Sequence, residues 1–263
     1  MLLALNNVKK YFSGDGTDSS FKTLVLNDVS FEIQTSNESG KLVSVLAPFG
    51  AGKSTLLKII SALQKPSEGE ILLNGKIYNE PRGEIAYIPE KPSSFPWLNT
   101  AQNIEFVTKE TSSNKDKVNH LIDIAGLSGY EDHSPANKSF GFRFRIALAR
   151  AIAVDPEIIL IDDSFKNMKP VTRKDIYELV LKIKEELKIN FLVATTNIHE
   201  AIFLSDEILL MRKDPGTIFK KLSMDGKITA DKFNITDNII TARNEIESYF
   251  RVESKEDSIS FSI

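Results

Sequence analysis

The chain contains no cysteine, which excludes disulfides, thiolate nucleophiles and cysteine-held metals and suits a reducing compartment. It also lacks any run near the roughly 18 uncharged apolar residues that a membrane-crossing helix requires. Its first residues, Met1-Leu2-Leu3-Ala4-Leu5-Asn6-Asn7, have no basic region and too short an apolar stretch for a secretion signal. The expectation is an intracellular protein that meets a membrane only through a partner. Neither sign of charge is in excess: 33 lysines and arginines face 36 aspartates and glutamates, a formal net charge of -3. That balance sets up no field to gather nucleic acid, and no such partner is expected. What is present is a composition 41% hydrophobic and 26% charged over 263 residues. It supports a sizeable core in one large domain or two small ones.

Residues 2–8 and 24–33 are rich in β-branched and aromatic side chains with partial alternation, which predicts strands. Residues 13–20 are a polar, glycine-bearing loop between them. The apolar run 42–46 suits a strand buried on both faces, and a helical pattern follows over 53–63. From 91 to about 137 the chain turns polar and helical, with apolar positions at Val118, Leu121, Ile122 and Ile124, as in a helical insert. Then come helix 145–154, buried strand 158–161, helix 171–187, strand 191–195, helix 198–204 and strand 207–211. Such alternation predicts a largely parallel α/β sheet. Beyond Pro215 a strand over 217–222, a helix over 238–250 and a polar end are expected.

Ala47-Pro48-Phe49-Gly50-Ala51-Gly52-Lys53-Ser54 has P-loop spacing, with alanine at the first glycine position. A buried strand enters it and a helix leaves it. Gly50 and Gly52 let consecutive backbone amides turn inward toward phosphate oxygens. The helix N-terminus adds its positive dipole end. Lys53 is placed to reach β- and γ-phosphates, and the Ser54 hydroxyl to coordinate Mg²⁺. Downstream, Ile158-Ile159-Leu160-Ile161-Asp162 is an apolar strand ending in a carboxylate suited to hold Mg²⁺ through water.

With these motifs the sequence resembles an ABC-type ATPase, in particular the branch serving nitrate, sulfonate, taurine or bicarbonate importers. The resemblance extends through residues 139–151, 158–165, Pro96-Trp97-Leu98 and His199-Glu200-Ala201. It implies an α/β P-loop NTPase with a RecA-like core, an antiparallel β subdomain and a helical subdomain. The nucleotide-binding domain would span 1–225, its helical subdomain about 91–155, with a C-terminal helical tail at 226–263. ATP and Mg²⁺ are the implied ligands. Ala47 to Thr55 would bind phosphates, with Thr55 following Ser54. Tyr11 would stack on adenine, with Phe12 the competing candidate. Ser139 and Gly141 would reach a partner's nucleotide. The implied partners are an integral-membrane permease, near Phe95 to Leu98 unless Phe95 and Trp97 instead fill the helical subdomain's own core, and a second ATPase in a homodimer or heterodimer. The implied location is cytoplasmic, peripheral on the inner face of the cell membrane.

Several positions depart from the family pattern. Glu90 stands where the family has glutamine, and adds negative charge near the metal. Asp163 replaces the catalytic glutamate; its carboxylate is retracted by one methylene, and a general base must lie within about 2.6–3.2 Å of its water. Thr196 replaces the switch histidine. His199 is a partial substitute or an ordinary helix residue. Lys166-Asn167-Met168-Lys169 reverses the final charge of its loop. Phe140 and Phe142 enlarge the signature loop, and would either flank Ser139 and Gly141 or pack into the core. Together these substitutions predict ATP binding with slow or absent turnover. Three readings stay open: a subunit paired with a more complete ATPase, a slow homodimer, and a non-hydrolytic regulatory module.

Overall fold

In a computed structural model the described residues are 2–13, 22–34, 39–108, 115–224 and 237–253. Most of the glycine-bearing loop expected at 13–20, and much of the tail expected from 226, lie outside them. The chain divides into two units, and each is described by itself. Unit 1 comprises Met1–Ser36, Lys41–Pro81 and Leu192–Ile263, and unit 2 comprises Asn37–Gly40 and Arg82–Phe191.

Unit 1 contains an antiparallel sheet of β1 (Leu3–Ser13), β2 (Lys22–Ile33), β4 (Glu68–Leu73) and β5 (Lys76–Ile77), in the order β2-β1-β4-β5. Alternation in β2 buries Leu26, Val29, Phe31 and Ile33 and leaves the intervening residues outward. The β4–β5 hairpin turns at Asn74 and Gly75, with φ of 50° and 74°, the primed-turn geometry that Asn-Gly favours. In the same unit β3 (Leu42–Leu46) runs parallel to β9 (Glu207–Arg212), and β10 (Thr217–Ser223) returns antiparallel to β9. β3 is buried at every position, as a strand covered on both faces must be. α1 (Lys53–Ile60) stops before the expected 63. Ala62 takes φ 55° and the Gln64 amide donates to the Lys58 carbonyl, a left-handed helix ending. α6 (Ile198–Leu204) and α7 (Asp237–Glu253) pack with Leu46, Ile208, Leu210 and Leu222 in one apolar cluster.

Unit 2 pairs β6 (Ile85–Ile88) with β7 (Ile158–Asp162) in parallel, matching Tyr87 with Leu160 and Ile88 with Ile161. Its helices are α2 (Thr100–Thr108), α3 (Lys115–Ile124), α4 (Phe140–Ile152) and α5 (Pro170–Leu187). α4 begins five residues before the expected 145, because Ser139 caps it. Its Phe144 stacks on Phe165, which stacks on Tyr177 of α5, with centroids 5.2 and 5.3 Å apart. The fully buried Asn103 accepts from the Phe95 amide at 2.7 Å and donates to the Phe95, Leu98 and Asn99 carbonyls. One side chain thus fixes the turn that carries Trp97. β8 (Asn190–Thr195) begins in unit 2 and ends in unit 1. Among the described residues no helix is long and apolar enough to cross a membrane.

Candidate functional site

The predicted phosphate loop leaves β3 and enters α1 within unit 1. Gly50 and Gly52 sit at φ 82° and 89°, a conformation that costs side-chain-bearing residues about 1–2 kcal/mol. A Cβ on Gly52 would lie 2.9 Å from a Leu26 methyl of β2. One on Gly216 would collide with the Ala51 carbonyl, so the loop is packed against β2 and the turn at 216. Ala47 is not among the left-handed residues, and needs no glycine. Its amide donates to the Thr195 carbonyl at 3.2 Å, tying the loop to the end of β8. Thr196 follows, half-buried at the entry to α6. The buried Lys53 amine folds back on the Ala47 and Pro48 carbonyls at 3.1 and 3.0 Å. Ser54 and Thr55 are half-buried on the first turn of α1, and Phe49 projects outward, 82% exposed. Tyr11 is half-buried in β1, its amide donating to the Ser67 hydroxyl; Phe12 is exposed beneath the Lys10 ammonium. His199 lies half-buried in α6, its pKa held below the ordinary histidine value by burial and by Arg243.

The predicted metal and catalytic carboxylates converge within unit 2. β7 ends at Asp162, buried, and Asp163 turns into the next segment at φ 48°. Aspartate tolerates that left-handed conformation better than glutamate does. The Tyr87 hydroxyl donates to Asp162 Oδ2 at 2.9 Å, and the Ser164 hydroxyl donates to the Pro89 carbonyl at 2.9 Å. The second bond fixes the backbone next to Glu90. Lys166 then bridges two of the departures from the family pattern, its Nζ lying 2.6 Å from Glu90 Oε1 and 3.7 Å from Asp163 Oδ2. Burial pulls the Lys166 pKa down, but the Glu90 hydrogen bond and the charges of Asp163, Glu90 and Asp162 outweigh it and raise it. At this exposure such a pair adds about 0–1 kcal/mol to stability. Its larger effect is on the local field.

Ser139 also lies in unit 2, exposed, its hydroxyl accepting from the Phe142 amide at 3.2 Å. Gly141 is buried, and a Cβ there would collide with the Thr172 methyl of α5. The signature phenylalanines do not enter the core. Phe140 is half-buried beneath the Arg143 guanidinium, 4.6 Å from its centroid, and Phe142 lies between Lys138 and Tyr130. Flanking cations let both rings stay at the surface while Ser139 keeps its place at the helix start. Trp97 is 75% exposed, whereas Phe95 is half-buried against Phe106 and Arg150.

The loop suits a phosphate chain: Gly50 and Gly52 take the left-handed conformations such a loop uses, and beyond Gly50's own chain neighbours no atom lies within 4 Å of a Cβ built on it. Among the described residues no group of three or more histidines, aspartates or glutamates is arranged to hold a metal by itself. Mg²⁺ bound together with phosphates needs only one or two carboxylates, and Asp162 is a carboxylate of the kind that chemistry uses. Lys166 and Tyr87 are the site residues that sequence reasoning missed. Lys166 was noted only as the first residue of a loop whose final charge, at Lys169, is reversed, not as the partner of Glu90.

The strand–glycine loop–helix unit and the carboxylate-terminated β7 define a P-loop nucleotide-binding protein of mixed α/β architecture. The ABC transporter family pattern matches residues 26–166, and the chain belongs to that family. The chain is 37% identical over 222 residues to the aliphatic sulfonates import ATP-binding protein SsuB of Bacillus cereus, covering 84% of this chain and 85% of that one. It is 32% identical over 223 residues to the taurine import ATP-binding protein TauB of Roseobacter denitrificans, covering 83% and 81%. Among solved structures, a dimeric ATP-binding cassette in a post-hydrolysis state, bound to ADP and Pi, matches with a TM-score of 0.72 at 26% identity. That match covers 86% of this chain and all of the other.

Proposed function

We propose that this chain holds ATP with Mg²⁺ at residues 47–55 and couples that binding to a permease importing a sulfonate-type anion, with slow turnover of its own. The observation that carries the reading is the phosphate loop itself. Gly50 and Gly52 are wound left-handed, and Lys53 lies buried against the loop it serves. The sulfonate class is supported by the similar SsuB and TauB proteins.

In this reading Lys53 and the loop amides bind the phosphates, and Ser54, Asp162 and Glu90 are the Mg²⁺ candidates. Bound Mg²⁺ would neutralise phosphate charge. Tyr11 stacks on the adenine. Asp163 is the water-activating carboxylate, shortened by one methylene and paired with Lys166. Thr196 offers a hydroxyl where an imidazole would donate more strongly, and loss of such a donor typically costs about 2.7–4 kcal/mol of barrier. Ser139, exposed at the start of α4 beside the buried Gly141, is offered to the nucleotide of a second ATPase, identical or different. The exposed Trp97 is offered to the permease, with the chain peripheral on the cytoplasmic face of the membrane.

Calorimetry with ATP and Mg²⁺ tests the reading. The wild type is expected to bind, and Lys53→Ala to weaken binding about a hundredfold. No heat of binding from the wild type would overturn it.

A further inference from the structure

Arg150 is a half-buried cation of α4, and burial holds its pKa below the ordinary arginine value. Among the described residues no carboxylate pairs with it, and its buried Nε finds no acceptor. A charge placed in this way costs stability, and an apolar side chain of similar volume is often as good or better for the fold. The polar and ring contacts of the guanidinium all lie on one segment of unit 2. It stacks over the Phe95 ring, 4.5 Å from its centroid, and donates from Nη1 to the Ser93 carbonyl at 3.1 Å. Phe95 in turn packs against Trp97, with centroids 5.5 Å apart, and edge-on against Phe106 of α2 at 4.8 Å. The Leu98 amide closes the turn on the Phe95 carbonyl at 3.2 Å, with Pro96 and Trp97 at its two corners. The Ser134 hydroxyl donates to the Pro96 carbonyl at 3.2 Å. Asn103 and Ser134 thus fix the backbone of the turn, Arg150 fixes the ring at its root, and Trp97 stands 75% exposed at its tip.

We propose that Arg150 is a positioning residue for the permease contact: through Phe95 it sets the direction in which Trp97 leaves unit 2, so that the indole meets the permease in a fixed orientation. The inference rests on the permease reading above and involves unit 2 alone. A ring held in one orientation loses less freedom on binding than a loose one, and that preorganisation appears as affinity. An indole combines an apolar body with one N–H donor. The permease surface that receives it is therefore an apolar cleft with a carbonyl or carboxylate acceptor in its wall.

Trp97 is the chain's single tryptophan, so fluorotryptophan labelling puts one fluorine probe on the turn and none on an unlabelled permease. The experiment is fluorine NMR of the full chain, alone and titrated with the permease of its own transport complex in lipid nanodiscs. The wild-type line is expected to shift on permease binding. Arg150→Met keeps an unbranched apolar stem but removes the cation and the donor. Its line without permease is expected to move toward that of the unfolded chain, and its permease affinity to fall about tenfold. Arg150→Lys keeps a cation over Phe95 and is expected to stay within about threefold of wild type. Phe95→Leu removes the ring through which Arg150 acts, so adding Arg150→Met to it is expected to change line and affinity little further. An Arg150→Met line at the wild-type position overturns the proposal, as does an unchanged permease affinity in that variant. So does a loss that persists undiminished in the Phe95→Leu background, which is what a merely structural arginine would give. Should Arg150→Met fail to fold, Arg150→Gln repeats the measurement with a polar neutral side chain. A wild-type line that the permease leaves unmoved overturns the Trp97 contact and this inference together. A shift that is indifferent to Arg150 overturns this inference alone.

Discussion

The Tyr87 hydroxyl donates to the Asp162 carboxylate at 2.9 Å, linking β6 to the last residue of β7. Burial, then the Asp162 charge, pushes the Tyr87 pKa well above its ordinary value, so the phenol keeps its proton throughout the working range of pH. It is a permanent donor. Partners of this kind orient a metal-binding carboxylate, and their loss typically costs about 10–100-fold in metal affinity. Tyr87→Phe is therefore expected to raise the Mg²⁺ concentration needed for ATP binding about tenfold, while stability falls by only about 1 kcal/mol. A Mg²⁺ titration at fixed ATP reads this directly. An unchanged midpoint would mean that Asp162 needs no such orientation.

Asp163 invites the opposite experiment. Asp163→Glu restores the missing methylene but puts a longer side chain at φ 48°. The expected result is a stability loss of about 1 kcal/mol with a rise in phosphate release of about tenfold or more. Steady-state phosphate assays decide it. A variant that is less stable and no faster would show that carboxylate reach is not what limits turnover.

Glu207 provides a pH-dependent readout inside unit 1. Its carboxylate meets Lys41 at 2.6 Å and Lys221 at 2.8 Å. Burial raises its pKa, but the Lys221 and Lys41 bonds and charges outweigh this and hold it below the ordinary glutamate value. A carboxyl whose folded pKa is depressed stabilises the fold fully above its unfolded pKa, and that contribution drains away as pH falls through the folded value. Glu207→Gln is thus expected to cost about 1–3 kcal/mol at neutral pH, with the gap to wild type closing in acid. Urea unfolding across pH measures the gap, and a constant difference would contradict the assignment.

The strongest local signals survived folding. The loop at 47–54 and the strand ending at Asp162 were legible because glycine conformation, a lysine and a buried apolar run are each short-range properties. The antiparallel pair β4 and β5 went unread although Asn74-Gly75 marks its turn, since strands of six and two residues carry little periodicity. The start of α4 was obscured by Phe140, Gly141 and Phe142, residues of modest or poor helix propensity. There, capping by Ser139 and packing of Phe144 decide the matter. Lys166 was invisible as a counter-ion because Glu90 lies far from it in sequence. Only the folded chain brings the two charges together.

Leu46 is the last residue of the strand that runs into the phosphate loop, and it shares its apolar surroundings with Ala242, Ile246 and Phe250 of α7. For anyone wiring a fluorophore, tether or fusion partner to this polypeptide, the final helix is consequently not neutral ground. It is the keel beneath the strand that feeds the loop at 47–54, and a load hung there bears on that strand's packing.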